Sequence, residues 1–242
     1  MLLKRFLPCL VAVIVMMTPT FAVAAASVTD VVAALEKGYA SLRDLQASFS
    51  QRAELASVKK TQTGAGEVFI RKGSGGGAMF RFNYTKPRQE IVSDGKTVWY
   101  YLPENRQVMT ADAATLFAGG GGVALSYLTG MGEVSRDFTA KLLGEGRDGK
   151  GNYLLELVPK KQGQAFQKLH LTVSGRAVDE YLKSGKVSVP FPIVASVVFD
   201  QLGNRTSIEF SKVKVNRGVS PSLFTFTVPP GVDVIKNPLG GN

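Results

Sequence analysis

Sulfur and imidazole are nearly missing from this chain. One cysteine and one histidine occur in 242 residues. A disulfide framework is therefore excluded, and a zinc module lacks its three or four soft ligands. Acidic residues are in deficit as well, 19 against 29 lysines and arginines, for a formal charge of +10. The glycine runs at 73–77 and 119–122 lack the Lys-Ser/Thr pair that grips a nucleotide, and there is no G-x-S-x-G elbow. Apolar residues are not in short supply. At 45% hydrophobic and 9% aromatic, the chain has what a packed core requires, and its length fits about one domain.

The first 24 residues read as an export signal. Lys4 and Arg5 precede an apolar run over 6–15 that continues through Met16 and Met17, and small residues follow. Ala22-x-Ala24 and Ala24-x-Ala26 both suit cleavage, placing it at 24/25 or 26/27. Pro8 and Pro19 break the run, which is short for a membrane span. Cys9 sits after Pro8, ahead of the unbroken part of the run, without the small residues that flank a lipidated cysteine, so it belongs to the discarded piece. Loss of Lys4 and Arg5 leaves +8, a charge suited to anionic headgroups or acidic partners, or simply to solubility. Nucleic acid is a poor partner outside the cytoplasm.

Residues 25–242 are expected to form a single α+β domain. Ser27-x-x-Asp30 resembles a capping box. Val31, Leu35, Leu42, Leu45 and Phe49 continue at near-helical spacing, widened by Val32 and Tyr39. The period then changes to two. Strands are predicted at 67–71, 80–84, 89–93, 97–102, 106–110, 138–143, 153–158, 168–173, 193–200 and 205–213, with Asp94-Gly95 and Gly203-Asn204 as hairpin turns. Short turns between successive strands imply a strongly curved antiparallel sheet. Residues 111–133 interrupt this meander with two short helices. They carry Leu116, Phe117, Leu125 and Leu128 around the glycine hinge at 119–122, which is the composition of a lid.

Catalytic constellations are sparse. Ser57-x-x-Lys60 and Ser93-x-x-Lys96 match a loose S-x-x-K pattern that occurs often by chance. His170 alternates with Leu169 and Leu171, so it points away from the face those leucines bury, and a solvated position is expected. The chain is therefore read as a non-enzyme without metal or cofactor. Phe80, Phe82 and Tyr84 share one strand face, and Trp99 and Tyr101 share another. Such stripes serve either a packed core or a cavity wall.

Several segments resemble the periplasmic outer-membrane lipoprotein carrier family, known as LolA. They are Met79-Phe80-Arg81-Phe82-Asn83-Tyr84 with Pro87, the stretch from Ile91-Val92-Ser93 through Trp99-Tyr100-Tyr101, Tyr127-Leu128-Thr129-Gly130, Asp200-Gln201-Leu202-Gly203-Asn204, and Phe224-Thr225-Phe226 through Val234. The resemblance implies an unclosed β-barrel with a helical lid over an apolar cavity, in a periplasmic chaperone. It implies that triacylated lipoproteins are accepted from an inner-membrane ATP-driven transporter and handed to an outer-membrane receptor, by a monomer. Phe80, Phe82, Trp99 and Tyr101 are then the candidate cavity residues, under a lid of Leu116, Phe117, Leu125 and Leu128. Family members often latch the lid through an arginine at the end of the preceding strand. Here that place holds Arg71 and Lys72, with Arg71 the better fork of donors. The segment 174–190 looks longer than usual and its role stays open. Rival readings are an outer-membrane receptor of similar fold, a lipid-binding envelope sensor, and an envelope lipid hydrolase using Ser57 or His170.

Overall fold

The computed structural model describes residues 26–73, 78–113, 133–161 and 166–236. The leader and the lid residues Leu116, Phe117, Leu125 and Leu128 lie outside them. Helix α1 (Val28–Ala40) is followed by β1 (Asp44–Leu55), β2 (Lys60–Lys72), β3 (Ala78–Lys86), β4 (Arg88–Ser93), β5 (Thr97–Leu102) and β6 (Gln107–Asp112). A single turn, α2 (Val134–Asp137), leads to β7 (Phe138–Arg147), β8 (Tyr153–Pro159) and β9 (Phe166–Val173). Then come α3 (Gly175–Ser184), β10 (Ile193–Asp200), β11 (Arg205–Val215) and β12 (Asp233–Lys236).

All twelve strands share one curved sheet in the order β12-β6-β5-β4-β3-β2-β1-β11-β10-β9-β8-β7. The two ends never meet, so the barrel is unclosed. The sheet is mixed rather than wholly antiparallel, because β12 runs parallel to β6.

The capping box forms as expected. The Ser27 hydroxyl accepts from the Asp30 amide, and the Asp30 carboxylate accepts from the Ser27 amide at 2.9 Å. The helix itself is shorter than its apolar stripe suggested. It stops at Ala40, and Leu45 and Phe49 belong to β1. The Asn216 side chain explains the stop, accepting from the Arg43 amide at 2.8 Å and donating to the Ser41 carbonyl at 3.0 Å. This clamp holds residues 41–43 in the turn that leads into β1. Gly38 is needed at its place, since a Cβ there would lie 2.8 Å from the Val189 carbonyl oxygen. The open segment 174–190 contains α3, which packs against α1.

Cross-strand partners share a face, so the register sorts the side chains. The inner face holds Leu45, Ala47, Phe49, Val68, Ile70, Phe80, Phe82 and Val98, continuing through Leu155, Leu157, Leu169 and Leu171. Helix α1 covers one end of it with Val31, Leu35 and Tyr39.

The outer face over β1–β6 is covered differently. After β11 the chain crosses back over it as a strap before entering β12. The Asp44 carboxylate accepts from the Arg217 and Gly218 amides. Arg71 then donates to the Val219 carbonyl at 2.6 Å, and Arg81 to that of Leu223 at 3.2 Å. Phe224 is fully buried, and Phe226 stacks on Trp99 with ring centroids 6.1 Å apart.

Candidate functional site

The inner face grades from sealed to open along the strands. Near α1, Leu45, Ile70, Phe80, Ser93 and Val98 are buried. Toward the other end of the same strands, Gln51, Tyr84, Ile91, Tyr100, Met109 and Ile208 are half-buried. The wall between is aromatic. Phe80, Phe82, Phe49 and Tyr84 form a chain of edge-to-face contacts with centroids 4.8 to 6.2 Å apart. Gly64 and Gly66 make room for this chain, a Cβ on Gly64 lying 3.0 Å from the Tyr84 ring.

The two phenol groups among these aromatic side chains are satisfied without charge. The Tyr84 hydroxyl donates to Gln51 at 2.6 Å and that of Tyr100 to Gln89 at 2.8 Å. Burial, with a smaller contribution from Tyr100, pushes the Tyr84 phenol up to about 12. Among the described residues this part of the surface is apolar and uncharged at neutral pH, a composition suited to hydrocarbon.

The four aromatic residues expected to line one cavity do not share a face. Phe80 and Phe82 are inner. Val98 pairs with Ser93, which pairs with Phe80, so the neighbouring Trp99 must point outward, and Tyr101 with it. Both lie against Phe226 of the strap. Their apolar character serves the strap rather than the inner face. Phe49, Tyr84, Ile91, Tyr100 and Met109 complete the inner wall. Their signal was the alternation itself, obscured at Phe49 because its spacing also suits a helix.

Arg71 and Lys72, adjacent in β2, divide in the same way. Arg71 turns outward to the Val219 carbonyl of the strap, whereas Lys72 donates to the Tyr39 carbonyl at 2.6 Å, where its charge complements the C-terminus of α1. Partial burial lowers the Lys72 pKa.

His170 is partnered rather than freely solvated. It lies on the outer face of β9 with Nε2 2.8 Å from Glu156 Oε2, and its ring centroid is 4.6 Å from that of Phe199. Glu156 also receives Lys168 at 2.8 Å and Lys141 at 2.9 Å. Lys168 first, then Lys141 and His170, hold its carboxyl down to about 2. Ser57 lies on the exposed turn between β1 and β2, and Ser93 is buried, its hydroxyl accepting from the Gly95 amide. Among the described residues no three His, Cys, Asp or Glu side chains could hold a metal ion.

Two crevices lined by described residues lie outside the inner face. One of about 780 Å³ separates the β7–β8 turn from α3, and its Arg147 is paired with Asp179 at 2.7 Å. The other, about 550 Å³, lies where Arg71, Lys72 and Asp44 meet Asn216. Both are polar.

The family model for "Outer membrane lipoprotein carrier protein LolA" matches residues 40–227. An outer-membrane lipoprotein carrier protein from Neisseria meningitidis serogroup B is 32% identical over 197 residues, covering 80% of this chain and 81% of that protein. Another, from Methylobacillus flagellatus, is 29% identical over 232 residues, covering 96% and 98%. Among solved structures, an uncharacterized conserved protein from Thermus thermophilus is 15% identical, with a TM-score of 0.48 over 86% of this chain and 98% of that one. No helix among the described residues is long and apolar enough to cross a membrane.

Proposed function

This chain belongs to the LolA family of outer membrane lipoprotein carrier proteins, and on that ground we propose that its inner sheet face shelters the acyl chains of a lipoprotein in transit. The observation that carries this reading is the uncharged aromatic wall of Phe80, Phe82, Phe49 and Tyr84, which grades into half-buried Ile91, Tyr100 and Met109. The curated relatives are named as carriers.

The physical need for such a wall is large. Each buried methylene is worth about 0.8 kcal/mol, so an acyl chain of ~15 methylenes represents roughly 12 kcal/mol against release into water. A carrier must offer comparable shelter without a covalent step. The cargo is triacylated lipoprotein, taken from an inner-membrane ATP-driven transporter and given to an outer-membrane receptor that shelters it better. Residues 1–24 direct the chain to the periplasm, where it works as a monomer. On either side of 114–132 stand Ala113, just after β6, and Val134, the first residue of α2, and both are buried in the inner core. Leu116, Phe117, Leu125 and Leu128 of that segment act as the lid, occupying the wall until cargo displaces them.

Incubation with spheroplasts, then co-purification and acyl-chain analysis, tests the reading. The wild-type chain is expected to recover acylated lipoproteins, and Ile91→Trp, which fills the half-open wall without adding charge, to recover several-fold less. Equal recovery by Ile91→Trp, or purified complexes free of acyl chains, overturns it.

A further inference from the structure

The two most exposed large apolar side chains among the described residues are Leu202, at 79%, and Val58, at 56%. They are on touching turns. Val58 lies in the β1–β2 turn and Leu202 in the β10–β11 turn, and the Ala56 amide of the first donates to the Asn204 side chain of the second at 2.9 Å. Gly203, with φ of +80°, lets the second turn close against Ala56, whose Cβ would lie 3.7 Å from an added Cβ.

Three more observations converge on this edge of the sheet. Both turns lie at the strand ends where the inner wall is half-open, because β1, β3, β5 and β10 finish there. The local acids are already engaged: Glu54 pairs with Arg52 at 2.9 Å and Arg205 at 3.7 Å, and Asp200 accepts from the Leu202 and Asn204 amides. Lys59 and Lys60, by contrast, are exposed and have no ion-pair partner among the described residues. The result is a pair of aliphatic points ringed by cations at the mouth of the hollow.

We propose that these paired turns are a docking prong for a lipid bilayer bearing anionic headgroups, inserting Val58 and Leu202 into the headgroup–acyl boundary while Lys59 and Lys60 meet the phosphates. Protruding aliphatic points on tight turns offer a folded protein no groove or flat patch to match. A fluid bilayer accepts them without shape complementarity, and lysine stems lie along it with their heads in the polar layer. The prong deepens the carrier reading and rests on it, since it sets the open end of the hollow beside the membrane in which the transporter or the receptor sits.

Flotation of the full chain with phosphatidylcholine vesicles, with and without phosphatidylglycerol, tests the prong. Partitioning is expected to be stronger with phosphatidylglycerol and to weaken with salt. Val58→Ser combined with Leu202→Ser lowers it about tenfold, and Lys59→Gln with Lys60→Gln removes most of the salt-sensitive part. Leu182→Ser, on α3 at the opposite end, leaves it unchanged. Both turn residues are exposed, so unfolding midpoints stay at the wild-type value. A wild-type chain that ignores both vesicles, or a double serine variant that floats like wild type, overturns the proposal. Binding of a pyrene-labelled fatty acid, measured on the same proteins, separates the two readings. Uptake of the probe without flotation defeats the prong and keeps the hollow. Flotation without uptake defeats the hollow.

Discussion

Glu156 is the clearest case of a single residue whose environment sets a measurable property. Its carboxylate is nearly buried, yet Lys168, Lys141 and His170 all reach it. In the unfolded chain it protonates near its ordinary 4.5, whereas in the folded protein it does so only near 2. A depressed folded value stabilises the fold above the unfolded pKa, and that stability is lost as the pH falls from about 5 toward 2. With solvent screening at the exposed Lys141, the contribution is of order 2 kcal/mol. Urea midpoints measured across this range should fall for wild type and change less for Glu156→Gln. Gly66 gives a backbone counterpart. A Cβ at that position would lie 1.9 Å from the Asn83 carbonyl oxygen, and the β2–β3 register shifts between Ala65 and Gly66. Gly66→Ala should cost at least about 2 kcal/mol of unfolding free energy, with local loss of amide-exchange protection in β3.

At the scale of elements, the strap over the outer face joins strands that would otherwise leave apolar side chains in water. Phe224→Ala should cost about 3–5 kcal/mol, the usual range for a fully buried phenylalanine. Arg81 has a bond to each of Asn83, Glu90 and the Leu223 carbonyl. Arg81→Lys keeps the charge but loses the fork, and should cost about 1–2 kcal/mol in chemical denaturation. The strap also explains what the sequence could and could not convey. Alternation placed β5 and β10 to the residue, because Thr97–Leu102 and Ile193–Asp200 are dense in β-branched and aromatic side chains bounded by turn residues. It could not say which face of Trp99-Tyr100-Tyr101 points inward, since both are apolar and the outer one is covered by residues more than a hundred positions away. Helix α3 escaped notice because few of its side chains are buried. Strand β12 is four exposed residues after a Pro-Pro-Gly turn, so no burial pattern marks it.

For the molecule as a whole, the grade from sealed to open along the inner face divides stability from function. The α1 end supplies packed core, and the far end keeps apolar surface only half covered. Ligand binding should therefore add to stability by mass action. A soluble acyl ligand at a hundred times its dissociation constant is expected to raise the unfolding free energy by about 2.7 kcal/mol, readable as a rise in Tm that Ile91→Trp suppresses. The order of the strands has a kinetic consequence too. Strand β1 pairs on one side with β2 and on the other with β11, and the Arg43–Asn216 bond spans 173 residues. A nascent chain emerging amino-terminus first can assemble β1–β6, but β1 must then wait with a bare edge until nearly the last strand arrives. Such a high-contact-order closure is slow, and the interval leaves time for a holding chaperone to act before the two halves of the sheet become one.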